Sequence, residues 1–104
     1  MQRPIIIIDG KRYELPQLKG SAWRKLVAAD KEQDIFAEDF IEKRCQFLAD
    51  IFGGDLTADI LLDNMPLEDI VQAYRDVAAY IIGRITARYE DIEKNVSKDV
   101  KTDP

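Results

Sequence analysis

The chain opens with a stretch that predicts a β-hairpin, IIIIDGKRYEL at residues 5–15. Consecutive β-branched residues favour a strand, and the Asp9-Gly10 pair is typical of a two-residue turn because glycine tolerates a positive φ and aspartate can bond the local backbone. The residues that follow alternate as a returning strand, and Pro16 ends it. We therefore predict a hairpin over residues 4–15. It must pack on another part of the chain or on a partner, because an isolated hairpin is marginal in water.

Downstream of the hairpin, apolar residues recur at helical spacing. The pattern predicts helices at about residues 21–30, 35–52, 58–63 and 66–94. The predicted caps are Ser21 and Thr57, and the predicted breaks are Gly53-Gly54 and Asn64-Met65-Pro66. The fold class that follows is mainly α, with an N-terminal β-hairpin, a small helical bundle and a long C-terminal helix. Residues 1–94 form a single domain in this interpretation, and residues 95–104 form a disordered tail.

The composition argues against catalysis and metal binding. The 104 residues include one cysteine and no histidine, so a zinc site and a histidine-activated nucleophile are both disfavoured. Cys45 lies among apolar neighbours and is expected to be a buried thiol. We predict no enzyme activity, no cofactor, no membrane span and a cytoplasmic location.

Charge is distributed unevenly along the chain. Residues 1–29 carry a net charge of +4 and residues 30–104 carry −9, within a total of −5. The acidic body disfavours binding to a nucleic-acid backbone. A basic end and an acidic end favour head-to-tail contact between identical subunits, although solvated surfaces alone also explain the pattern.

The last predicted helix carries a seam of apolar residues at heptad-like spacing. Its members are Leu67, Val71, Tyr74, Ala78, Ile82, Ile85, Tyr89, Ile92 and Val96. Two interpretations stay open, since a seam that meets another helix and a seam packed inside its own bundle have the same pattern. Trp23, Leu26 and Val27 are expected to face inward from the first helix.

The order of elements along the chain resembles that of a known family. The segments IDGKRYEL, SAWRKL, FLADIFGG and LTADILLDNMPLEDI, followed by a long helix, cover roughly residues 5–93. In this order they are similar to the tail assembly chaperones of long-tailed bacteriophages that infect Gram-positive hosts. Each segment is generic by itself, so the resemblance depends on their succession.

The resemblance implies a role and partners. Such chaperones self-associate and coat the apolar, helical tape measure protein, which keeps it soluble until the tail tube protein assembles. They act in the cytoplasm of the bacterial host and are absent from the mature virion. For this chain we expect self-association or client contact through Ile82, Ile85, Tyr89 and Ile92. From the hairpin, we expect Ile6, Ile8 and Tyr13 to contribute to the same contacts.

A different class of function stays open from the sequence. A small regulatory adaptor or inhibitor that binds one folded partner has the same composition and the same lack of catalytic residues. It predicts a monomer or a closed dimer, whereas the chaperone predicts assembly that depends on concentration.

Overall fold

A computed structural model describes residues 3–100, with side chains described for residues 3–87. Two strands are followed by four helices, which confirms the predicted fold class. The elements are β1 (Ile5–Ile8), β2 (Lys11–Glu14), α1 (Gly20–Asp30), α2 (Phe40–Phe52), α3 (Ala58–Asn64) and α4 (Leu67–Val100).

The hairpin forms as its turn residues predict. Asp9 and Gly10 both have positive φ, at 51° and 79°, which matches the twist of the two strands. Ile6 pairs with Tyr13, and the alternation of the strand buries Ile6 and Ile8 while exposing Ile5 and Ile7. The inner face of the hairpin therefore packs on the helices of the same chain.

Helix α1 begins at Gly20 and differs from the prediction in its cap and its buried face. Lys19 is the N-cap and makes no side-chain cap hydrogen bond, so the predicted cap at Ser21 is wrong. Leu26 is buried as expected, but Trp23 is 48% exposed and Val27 is also exposed. Their inward orientation was a wrong prediction, because the buried face of α1 is centred on Ala22 and Leu26, and Trp23 and Val27 lie about 60° or more around the helix from both.

Helix α2 begins at Phe40, five residues after the predicted start. The cause lies at Asp34, whose carboxylate accepts a hydrogen bond from the Phe36 N–H at 2.9 Å, while its carbonyl accepts one from the Ala37 N–H at 3.0 Å. This local bonding competes with helix formation. Ile35 and Phe36 therefore lie in a loop and are exposed.

The ends of the shorter helices follow the predicted turn chemistry. Gly53 ends α2 with a φ of 70°, and the Thr57 hydroxyl caps α3 by accepting from the Ile60 N–H at 3.2 Å, as predicted. Helix α4 begins after Pro66 and continues to Val100, beyond the predicted end near residue 94. The disorder predicted for residues 95–104 stays a prediction, because residues 101–104 and the side chains of residues 88–100 lie outside the described residues.

The core is built around α2, which packs on α1, α3 and α4. Its most enclosed side chains include Cys45, Leu48, Leu61 and Val77, each at 0% exposure. The face of α4 toward this core is formed by Ile70, Tyr74, Val77, Tyr80 and Ile81. The predicted seam therefore coincides only partly with the buried face: Tyr74 belongs to both, whereas the seam members Leu67, Val71 and Ile82 remain exposed.

Candidate interaction surfaces

A buried arginine joins three helices and the loop that follows α1. Arg44 is buried on α2, the one charged side chain so placed among residues 3–87. Its guanidinium donates to the Ala29 carbonyl at 2.7 Å and to the Glu32 carbonyl at 3.1 Å. A cation beside the C-terminal carbonyls of a helix is favourable, because those carbonyls lack partners within the helix.

Aromatic rings enclose the same guanidinium. Its Cζ lies 4.0 Å from the centroid of the Tyr74 ring and 4.5 Å from that of Phe40. The Tyr74 ring also meets Phe47 edge-to-face, with 5.2 Å between centroids. These contacts favour a desolvated cation, so Arg44 fixes the positions of α1 and of the loop against α2 and α4.

Tyr74 adds a hydrogen bond at this junction. Its hydroxyl donates to the Asp30 carboxylate at 3.1 Å. Burial raises the pKa of the Tyr74 hydroxyl to about 12, with Arg44 acting in the opposite direction and Asp30 adding to the rise. The hydroxyl thus keeps its proton at neutral pH and remains a donor to the C-terminal end of α1.

The hairpin is attached to the α2–α3 turn by an exposed ion pair. The Lys11 ammonium donates to the Asp55 carboxylate. This hydrogen bond raises the pKa of Lys11 and lowers that of Asp55. Both side chains are solvated, so the pair orients the hairpin more than it stabilises it.

One side of α4 exposes an apolar strip beside the core. Leu67 is 60% exposed and Ile82 is 47% exposed, with Val71 also exposed and Ile85 half-buried. At 100° per residue these four positions fall within about 60° of each other around the helix. We call Leu67, Val71, Ile82 and Ile85 the α4 flank; their exposure leaves an apolar surface without a partner within the described part of the chain.

The predicted contact residues fall into three groups. Ile82 and Ile85 lie on the α4 flank, whereas the side chains of Tyr89 and Ile92 lie outside the described residues. Ile6 and Ile8 are buried in the core of this chain, and Tyr13 is half-buried against it. Contact of Ile6 or Ile8 with a partner requires the hairpin to leave the helical body, and their predicted role stays a prediction.

Two further surfaces were missed by the contact prediction. The first is the α1 stripe, four exposed residues at intervals of four, namely Lys19, Trp23, Val27 and Lys31. The second is the acidic loop, residues 34–39, in which Phe36 is 88% exposed. The lysine at each end of the stripe was the sequence signal that could have identified it as exposed, because lysine is seldom found on a buried face.

Neither a metal-binding cluster nor a helix able to span a membrane occurs among the described residues. These residues hold no group of three or more histidine, cysteine, aspartate or glutamate side chains arranged to bind a metal ion. None of the helices in the described part combines the length and the apolar character that crossing a bilayer requires.

Comparison with known proteins identifies the family. Residues 17–100, most of the chain, match the model of a family described as phage tail chaperone protein. The match begins after the hairpin and includes all four helices. Searches of curated proteins and of solved structures found no match. Since the family model covers far more than half of its length, this chain belongs to the phage tail chaperone family.

Proposed function

We propose that this chaperone self-associates and coats the apolar, helical tape measure protein, and keeps it soluble until the tail tube assembles. It acts in the cytoplasm of the bacterial host and leaves before the virion is complete, and the tail tube protein is its second partner. The observation that carries the proposal is the exposed α4 flank on a chain whose family is a chaperone family.

The α4 flank suits a long apolar client. From Leu67 to Ile85 it extends roughly 27 Å along the helix, at 1.5 Å per residue. Exposed charged residues such as Glu68 and Arg75 lie on the same helix, and charge beside an apolar strip keeps such a surface soluble. Several copies on one client add their weak contacts, so that binding is strong along the client yet each copy is displaced singly.

Polar substitution of the α4 flank is expected to abolish most of the client protection. The double variant Val71→Ser, Ile82→Ser removes two exposed apolar side chains and leaves the core intact. Each side chain of this kind contributes on the order of 1 kcal/mol when a client covers it, so the pair contributes about 2 kcal/mol and about 30-fold more chaperone is needed for equal protection. The measurement is light scattering from an aggregating apolar helical segment of the tape measure protein, titrated with each chaperone variant.

A matched control lies on another side of the same helix. Gln72 and Ala79 are exposed on α4 and lie at least about 60° around the helix from every residue of the α4 flank, and the double variant Gln72→Ser, Ala79→Ser introduces the same residue there. It should protect the client as the parent protein does. Equal protection by both double variants would show that the α4 flank does not hold the client.

Self-association is expected to grow with concentration. Light scattering behind size exclusion, over a hundredfold concentration range, should give masses that rise beyond a dimer. High salt should reduce this growth, because contacts between the basic and acidic surfaces are screened. A monomer at every concentration would contradict self-association and favour the adaptor that binds one folded partner.

A further inference from the structure

The α1 stripe and the acidic loop have complementary chemistry. The stripe has apolar Trp23 and Val27 between two lysines, and Arg24 is exposed beside them. The acidic loop exposes Ile35 and Phe36. Six carboxylates and one lysine occur between residues 30 and 42. One surface is thus apolar with basic ends, and the other is apolar with acidic neighbours.

The exposed apolar side chains of both surfaces lack a partner within the described part of the chain, although Asp39 of the acidic loop pairs with Lys43. Phe36 is 88% exposed, so it does not pack on the α1 stripe of its own copy. Within residues 3–87, Lys19, Arg24 and Lys31 take part in none of the ion pairs, which involve Lys11, Arg12 and Lys43. Aromatic anchors set among complementary charges are the features that dominate specific protein contacts.

The loop is held in shape before any contact is made. The Asp34 carboxylate accepts the Phe36 N–H, and the Phe40 N–H donates to the Ala37 carbonyl at 3.1 Å. Arg44 binds the Glu32 carbonyl just before the loop. A loop held in its binding conformation loses less entropy when it docks.

We propose that the acidic loop of one copy docks on the α1 stripe of a second copy, with Phe36 against Trp23 and Val27. The contact joins two different surfaces, so each copy keeps one of each for a further neighbour, and the assembly extends head to tail. The proposal rests on the self-association proposed above and names its contact, which is separate from the α4 flank assigned to the client.

Cross-linking between two single variants tests the contact. One chain carries Val27→Cys and the other Ala37→Cys, so that Trp23 and Phe36 are both retained. A short bismaleimide is added to the mixture; Cys45 is fully buried and its pKa is raised, so it contributes little background. The mixed cross-linked species should form about tenfold faster than in the control mixture, because docking raises the effective concentration of the two thiols.

The control mixture replaces Val27→Cys with Lys25→Cys, an exposed position on a different face of α1. Equal cross-linking in both mixtures would overturn the proposal. In addition, Phe36→Ser should raise the concentration at which masses grow by about tenfold, whereas Leu62→Ser, an exposed apolar position on α3, should not. Growth that is unchanged by Phe36→Ser would also overturn it.

The outcomes separate this proposal from the proposed function. If the mass of the parent protein rises with concentration and the protein protects the client, but the cysteine variants form no preferred cross-link, the docking contact is refuted and the proposed function stands. If the mass of the parent protein does not rise and the client is not protected, both proposals are refuted.

Discussion

Replacing Arg44 with alanine is expected to lower the free energy of unfolding by about 3 kcal/mol. The substitution leaves the Ala29 and Glu32 carbonyls without their charged donor, and it empties the space between the Phe40 and Tyr74 rings. Lost hydrogen bonds to a charged group and lost cation–π contact add up to a large effect for one residue. Urea unfolding followed by far-UV circular dichroism measures it.

The adjacent residue provides a matched control. Lys43 is solvent-exposed, and its ammonium lies 3.6 Å from Glu32 and 3.3 Å from Asp39. Exposed ion pairs contribute little, so Lys43→Ala should cost less than about 1 kcal/mol. Arg44→Lys keeps the charge but loses the planar fork, and it should resemble Arg44→Ala more than the parent protein. Equal costs for Lys43→Ala and Arg44→Ala would contradict the role assigned to Arg44.

Cys45 is expected to react with a maleimide at least about 100-fold more slowly than an exposed cysteine. Burial is the main cause that raises the pKa of the Cys45 thiol from 9.0 to about 11, and Glu42 adds to it. Two pKa units leave about 100-fold less thiolate at neutral pH, and the thiolate is the reactive form. The side chain is also inaccessible at 0% exposure, so reaction requires α2 to open.

Mass spectrometry of peptides from an Ala28→Cys variant tests this in a single molecule, because residue 28 is exposed on α1. Similar labelling rates at residues 28 and 45 would contradict the burial of Cys45. In Arg44→Ala the labelling of Cys45 should accelerate by about 100-fold, since each 1.4 kcal/mol corresponds to a factor of ten. The raised pKa also means that the thiol contributes stability below pH 9, which is lost as the pH rises toward about 11.

Local chemistry was predictable from the sequence. The Asp9-Gly10 turn, the Thr57 cap and the Gly53 helix end depend on neighbouring residues alone, and each has the predicted role. The mainly α fold followed from the spacing of apolar residues. Interactions between residues close together in the chain determine these features, so they can be predicted from the sequence without knowledge of the tertiary packing.

Choices that depend on tertiary packing were less predictable. Trp23 was assigned to the core by its helical spacing with Leu26 and Val27, yet the side of α1 that meets α2 carries Ala22 and Leu26 instead. Arg44 was missed because charged residues are assigned to the surface by default, and its partners are carbonyls that appear in no side-chain pattern. The exposed Phe36 has the same cause as the late start of α2, the hydrogen bonding around Asp34.

Many tertiary contacts join secondary-structure elements that are adjacent along the chain, and this affects how quickly the protein folds. The two strands pair directly, α1 packs on α2, and α2 packs on α3. The packing of α2 on α4 joins more distant residues, but most contacts still close over short stretches. Helical proteins with such local contacts fold within microseconds to milliseconds, whereas synthesis adds roughly 5–20 residues per second. Each copy is therefore folded almost as soon as it leaves the ribosome, and translation, not folding, limits its supply.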